Sequence, residues 1–253
     1  RVSGAELGAE LFQRASALES QGKVSEAVRL YKEAAAAKHG PSAKKLGDIY
    51  AGGKGDVPQD YKYLGDESYC LIGEGTTVRE GATVHRGTAP GSTTSVGARC
   101  LLMTNSHVGH NCQVGDGVIL VSGALLGGHV QVGNRAIISG NAAIHQFVRV
   151  GELALVGILA RIVQDVPPFF ITDRDGMIVG ENRVGLTRAG LTPHERAEIK
   201  RAYQVIYRGQ IGRNAAVAFL EGFVVTPAGR RLLEFFATDS KYGAATRAFK
   251  VRR

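Results

Sequence analysis

The sequence predicts a mainly β protein: a left-handed parallel β-helix of hexapeptide repeats, with an α-helical C-terminal domain and a short α-helical N-terminal segment. Three observations carry this. An aliphatic residue recurs at every sixth position from Val96 to Ile162, through Leu102, Val108, Val114, Leu120, Leu126, Val132, Ile138, Ile144, Val150 and Val156. Four residues after most of them stands a slim side chain, such as Cys100, Ser106, Cys112, Ala124, Ala136 or Ala154. Glycine often follows the aliphatic directly, as at Gly97, Gly109, Gly115, Gly127, Gly133, Gly151 and Gly157. A period of six matches neither an amphipathic helix nor an alternating strand. It matches a three-sided prism whose interior takes the aliphatic residue and whose corners take the slim one. The glycines are expected at tight turns that need a backbone tolerant of positive φ. Coils of this kind stack about 4.8 Å apart, so sequence spacing becomes spatial proximity.

Residues 1–56 do not continue the hexads. LFQRASALESQG (11–22) and SEAVRLYKEAAAA (25–37) space their apolar residues by three and four, as helices do. Gly22 is expected to end the first helix and Ser25 to cap the second. A third helix is expected after Pro41. With Tyr31, Ala34–Ala35, Gly40, Ala43, Leu46–Gly47, Tyr50, Gly53, Gly55 and the closing VPQDY (57–61), the run resembles a Sel1-like repeat, a relative of the tetratricopeptide repeat. Such helix pairs stack in arrays and bind other proteins. A single repeat needs a neighbour for its apolar face. Capping the open end of the prism is one expected use, since uncovered strand edges invite pairing. A fragment or a fusion is equally compatible, and the first residue is Arg1, not Met.

The β-helix is expected over 57–170. One coil is three hexads, or eighteen residues, so coils begin at Val96, Val114, Val132 and Val150. His110, His129 and His145 then fall near one corner of three consecutive coils, and His107 lies close to the same edge. A coil edge needs polar residues in any case. Three histidines in near register nevertheless point to chemistry, because an imidazole is the natural general base near neutral pH. Cys70, Cys100 and Cys112 fall at slim corner positions and read as buried thiols, with no zinc spacing. The C-terminal domain, 171–253, carries three amphipathic segments at 192–209, 213–223 and 227–237, the first opened by a capping box of Thr192 and Glu195.

Composition agrees with one solenoid plus helical extensions: 253 residues, 34 glycines and no tryptophan. No apolar run is long enough to span a membrane, no signal peptide is visible, and unpaired thiols fit a reducing cytoplasm. The net charge of +8 is concentrated in basic residues of the last third. No aromatic-interleaved basic motif supports nucleic-acid binding. A solvated helical face explains much of the charge, and the excess suits an acidic partner or ligand.

Several segments together resemble one family closely, the acyl-(acyl-carrier-protein)–UDP-N-acetylglucosamine O-acyltransferases of lipid A synthesis. They are PQDYKYLGDE (58–67), TVHRGT (83–88), SHVGHNCQVG (106–115), GGHVQV (127–132), AIHQF (143–147), QDVPPF (164–169), GLTRAG (185–190) and KRAYQVIYR (200–208). The resemblance covers about 58–210 and, more loosely, the remainder of the C-terminus. It lacks the coils that this family builds upstream. The resemblance implies transfer of an (R)-3-hydroxyacyl group from acyl carrier protein to the sugar 3-hydroxyl of UDP-N-acetylglucosamine, with no metal and no further cofactor. It implies that His110 is the general base and that the N–H of Gly128 donates to the oxyanion. It implies substrate contacts for Asp60, Lys62, His85, His107, His129, His145 and Gln146, and a grip on the nucleotide end for Asn182 and Arg188. It further implies a homotrimer with clefts shared between neighbouring chains. Two departures stand out. Ala189 replaces a second arginine, and Ile158 stands where some members have glycine. Ile158 either shortens the acyl pocket or packs within its coil. Three functions compete: this O-acyltransferase, a related hexapeptide transferase acting on another amino sugar, and an inactive scaffold that has lost its upstream coils.

Overall fold

The computed structural model describes residues 4–37, Pro41 and 67–245. The chain divides into two compact units, Arg1–Glu67 with Thr88–Pro90, and Ser68–Gly87 with Gly91–Arg253.

In the first unit, α1 (Gly4–Ser20) packs against α2 (Val24–Ala36) around Ala15, Ala27, Leu30 and Tyr31. Phe12 meets the Tyr31 ring at 5.5 Å, and the Tyr31 hydroxyl donates to Glu19 at 3.0 Å. Gly22 ends α1 as expected. It sits at φ +76°, with the Lys23 N–H on the Leu18 carbonyl and the Gly22 N–H on that of Glu19. These two bonds are a Schellman ending, which requires a left-handed residue at this position. The expected cap is corrected: Lys23, not Ser25, is the N-cap of α2 and makes no side-chain cap bond, so Ser25 falls in the first turn. The third helix and the later landmarks of the Sel1-like resemblance, from Ala43 to Tyr61, lie outside the described residues.

The second unit is the prism. Its first face stacks Tyr69–Ile72, Thr93–Val96, Gln113–Val114, Gln131–Val132 and Arg149–Val150 in parallel. Its second face stacks Thr77–Val78, Leu101–Leu102, Ile119–Leu120, Ile137–Ile138 and Leu155–Val156. Its third stacks Thr83–Val84, His107–Val108, Leu125–Leu126, Ala143–Ile144 and Arg161–Ile162. Val96, Val114, Val132 and Val150 pair in register along the first face. All twelve aliphatic residues of the hexad series are buried, as are the slim residues beside them. Each such burial is worth about 1.5–3 kcal/mol. The first described coil is longer: Ile72 pairs with Val96, 24 positions on, so an insertion interrupts the repeat just before the series begins.

Two expectations are corrected here. The glycines after the aliphatic residues do not sit at positive φ. That conformation belongs to the residue just before each slim position: Arg99, Asn105, Asn111, Gly117, Gly123, His129, Arg135, Asn141, Phe147, Leu153 and Leu159. The glycines are needed because the next coil passes too close. A Cβ at Gly133 would lie 2.4 Å from the Glu152 amide nitrogen, and one at Gly151 would lie 2.3 Å from that of Pro168. Cys70 is the second correction. It pairs with Thr94 at a slim position but is exposed, because its strand is the last of its sheet among the described residues. Cys100 and Cys112 are buried.

The C-terminal domain opens on strands rather than on a helix. Phe170–Thr172 extends the second face and pairs antiparallel with Ile178–Glu181. Then follow α3 (Arg183–Arg188), α4 (Pro193–Tyr203), a π-helical turn (Gln204–Arg208), α5 (Arg213–Phe223) and α6 (Pro227–Ala237). The capping box is present: Thr192 Oγ1 accepts from the Glu195 N–H, and the Thr192 N–H donates to Glu195. Phe169, Phe170, Tyr207, Leu220, Leu232 and Phe236 join these helices to the prism core. Buried Asp165 takes the Arg149 guanidinium at 2.7 Å, and its backbone bonds Gly243 and Ala245. The last described segment is thereby fastened to the end of the prism. No described helix is long and apolar enough to cross a membrane.

Candidate active site

The corner between the third and first faces gathers most of the polar chemistry. Asn111, His129 and Phe147 occupy the same left-handed position in three successive coils. Hexads therefore present one side chain per coil along this edge. The His110 and His129 rings meet edge-to-face at 5.1 Å, and His129 stacks on Phe147 at 4.6 Å, 12° from parallel. Lys241 lies over the outer face of that stack, with its Nζ 3.6 Å from the Phe147 centroid. Tyr242 meets His145 edge-on at 5.3 Å. A continuous row thus runs from His110 to the C-terminal segment.

His110 is the best-placed base. Its Nδ1 faces Asn111 Oδ1 at 2.9 Å. A carboxamide oxygen only accepts, so Nδ1 is the donor in this bond, and in the neutral tautomer that makes it, the lone pair sits on Nε2. The Asn111 N–H in turn donates to Thr94 Oγ1 at 2.7 Å, which anchors the orienting residue. His110 Nε2 lies beside Gly128: a Cβ built there would be 2.5 Å from it. Gly128 therefore leaves the space that the ring occupies. The Gly128 carbonyl accepts from Phe147, while its N–H has no acceptor among the described residues.

His107 and His85 form a second pair on the third face, one coil earlier. Their rings meet at 4.6 Å, and His107 Nδ1 lies 2.8 Å from Thr83 Oγ1. Burial, and then the neighbouring His85, hold His107 below the ordinary imidazole pKa. Burial, followed by the charges of His110 and Lys241, does the same to His129. Both favour neutral imidazoles along the cleft. His145 and Gln146 are exposed at the same corner, one coil beyond Gly128. Among the described residues no group of His, Cys, Asp or Glu is arranged to hold a metal ion.

Other expected site residues lie elsewhere. Asp60 and Lys62 are outside the described residues. Asn182 is 6% exposed and committed internally: Nδ2 donates to the Leu153 carbonyl at 2.8 Å, and Oδ1 caps α3 through the Gly185 N–H at 3.0 Å. In this chain it is the cap that positions α3. Arg188, at the end of that helix, is exposed, and its carbonyl accepts from Arg135. Leu153 and Arg135 belong to the corner between the first and second faces. Within one chain, Arg188 and His110 therefore occupy different edges of the prism. Ile158 is 65% exposed at the corner between the second and third faces, so it does not pack within its coil. Sequence reasoning missed Asn111, Phe147, Lys241 and Tyr242. Asparagine directly after His110, at a hexad corner, was the one available signal.

Comparisons with known proteins converge. Residues 165–245 match the family described as UDP N-acetylglucosamine O-acyltransferase, domain 2, and residues 93–128 match the bacterial transferase hexapeptide repeats. An acyl-(acyl-carrier-protein)–UDP-N-acetylglucosamine O-acyltransferase of Chlamydia abortus is 46% identical over 202 residues, covering 78% of this chain and 72% of the relative. One from an Anaeromyxobacter species is 42% identical over 169 residues, 66% of each chain. The chain thus spans just under two thirds of the length of that relative. Among solved structures, the UDP-N-acetylglucosamine acyltransferase of Francisella novicida superposes with a TM-score of 0.71 at 35% identity, over 78% of this chain and 72% of that one. The Arabidopsis enzyme gives 0.69 at 30%, over 74% and 69%.

Proposed function

The chain belongs to the acyl-(acyl-carrier-protein)–UDP-N-acetylglucosamine O-acyltransferase family, and from that premise we propose that it transfers an (R)-3-hydroxyacyl group from acyl carrier protein to the 3-hydroxyl of UDP-N-acetylglucosamine, the first step of lipid A synthesis. The observation that carries the reading is the His110 ring seated against Gly128, whose backbone N–H has no acceptor among the described residues. That is a base and an oxyanion donor at one corner of the prism. Nε2 removes the proton of the sugar hydroxyl as its oxygen attacks the thioester carbonyl. The negative charge gathers on the carbonyl oxygen, where the Gly128 N–H meets it. Collapse breaks the carbon–sulfur bond, and the imidazolium returns its proton to the departing thiolate.

His85, His107, His129, His145 and Gln146 line the substrate cleft in this reading, with Asp60 and Lys62 as further contacts. Arg188 grips the nucleotide end. Its separation from His110 within one chain supports a homotrimer in which a neighbouring chain supplies that grip. The acyl chain runs along the prism. Ile158 stands three coils beyond the matching corner in the His110 coil, roughly 14 Å along the axis at about 4.8 Å per coil, and there sets the acyl length. The cytoplasm, where carrier protein and nucleotide sugar meet, is the proposed location. No cofactor is required.

The test is incubation with UDP-N-acetylglucosamine and acyl carrier proteins of several chain lengths, with products read by mass and the oligomer read by sedimentation. A 3-O-acylated product from a trimer is expected. No product from any donor would refute the enzymatic reading. An acylated product from another amino sugar alone would reassign the substrate.

A further inference from the structure

Two buried thiols make the same bond at two different corners of the prism, and only one of those corners holds the histidines. Cys100 Sγ donates to the Gly115 carbonyl at 3.1 Å, and Cys112 Sγ donates to the Gly127 carbonyl at 3.1 Å. Each bond ties a thiol inside one coil to the peptide that opens the corner of the next. In a trans peptide the C=O and N–H point in opposite directions. A carbonyl held toward the interior therefore turns the following N–H outward.

The corner at Cys100 shows what such an N–H does. The amide after Gly115 is that of Asp116, and it donates outward to Asn134 Oδ1 at 2.9 Å. One coil earlier the equivalent Ala98 N–H takes the carboxylate oxygen Asp116 Oδ1 at 2.8 Å. N–H groups in this position thus bind an oxygen, including an anionic one, on the outer surface. At the Cys112 corner the equivalent amide is Gly128, which has no such acceptor among the described residues and lies against His110.

We propose that Cys112 is a positioning residue for the transfer reaction: its S–H holds and polarises the Gly127–Gly128 peptide, so that the Gly128 N–H is aimed into the cleft and strengthened as the oxyanion donor. This rests on the reading of Gly128 given above. A hydrogen bond to a carbonyl makes the N–H of the same amide a better donor, because the bonds of a chain polarise one another. Burial pushes the Cys112 thiol pKa up to about 11, so it remains a donor at neutral pH. Cys112 touches neither substrate nor the reacting atoms.

The experiment uses an accident of the sequence. Only two Gly–Gly peptides occur, Gly52–Gly53 and Gly127–Gly128. Protein labelled with carbonyl-13C,15N-glycine therefore gives two carbonyl-to-amide correlation signals, and Gly52→Ala identifies which is which. Cys112→Ala is expected to shift the Gly127 carbonyl and Gly128 amide signal, and Cys112→Ser, which keeps a donor, to return it part of the way. Cys100→Ala, which removes the same bond elsewhere, is expected to leave it in place. The kcat of Cys112→Ala should fall roughly two- to eight-fold, taking the loss as about 10–30% of the effect of a whole oxyanion donor. KM should hold, Cys112→Ser should recover part of the rate, and Cys100→Ala should keep it. An unmoved Gly127–Gly128 signal overturns the proposal. So does an unchanged kcat in Cys112→Ala, or an equal loss in Cys100→Ala, which would mark a general packing effect. If the parent transfers no acyl group at all, it is the transferase reading that fails, and the signal still decides whether Cys112 holds the peptide.

Discussion

Gly128→Ala separates the chemistry of the corner from its folding. The added Cβ would lie 2.5 Å from His110 Nε2 and 2.6 Å from Cε1. Non-bonded heavy atoms settle at about 3.5–4.0 Å, so the ring must retreat by about 1 Å. A shift of that size in a positioned catalytic group costs about 10²-fold in rate. The backbone tolerates alanine, because Gly128 is not among the positive-φ residues and the clash is with a side chain that turns aside. Gly133→Ala is the contrast. Its Cβ meets the Glu152 amide nitrogen at 2.4 Å, a backbone contact without room to give. Overpacking of this kind costs about 1–3 kcal/mol. Turnover by product mass and Tm by calorimetry are then measured on both variants. Gly128→Ala should lose rate and keep Tm, whereas Gly133→Ala should lose Tm. A Gly128→Ala protein with near-parental kcat would show that the ring does not work from where it lies.

Three further outcomes follow from the same geometry. His110→Ala should lower kcat by roughly 10²-fold or more, the scale of a positioned general base, with folding little changed because the side chain lies at the outer corner. Near-normal turnover would remove His110 from its role. Ile158→Gly should shift the ratio of rates toward longer acyl donors, since each buried methylene is worth about 0.8 kcal/mol; an unchanged ratio means the groove ends elsewhere. With His107 and His129 both held below the ordinary value of 6.5, the folded protein binds fewer protons than the unfolded chain just below that pH. Stability is then complete above about pH 6.5 and declines as pH falls through the window down to the folded values. His129→Gln should flatten that decline in Tm, and an identical pH profile would exclude this linkage.

Much of the solenoid was legible because a hexad is a local rule. Each interior position sees the same geometry, so Val96 to Ile162 needed only spacing to be placed. The eighteen-residue coil likewise brought His110 and His129 together before any coordinates, since stacking converts register into distance. The capping box at Thr192 was equally local, because it closes within one helical turn. What failed to read from the sequence depends on contacts between distant segments. The glycines after the aliphatic residues are demanded by the backbone of the next coil, not by their own φ. Cys70 follows the repeat but lies on the last strand of its sheet among the described residues, and exposure is set by what stacks beyond a strand rather than by the hexad itself. The internal bonds of Asn182, to the Leu153 carbonyl and to the α3 N-terminus, are likewise set by segments that spacing does not bring together. Lys241 and Tyr242 reach the histidine corner only because Asp165 bonds Gly243 and Ala245 across nearly eighty residues of chain. The sequence by itself determined the repeat, its interior and the stacked histidines, each a consequence of periodic local geometry. Tertiary structure alone decided which backbone lies close enough to exclude a Cβ, and which C-terminal residues meet the histidine corner, because those are set by non-local packing that no spacing encodes.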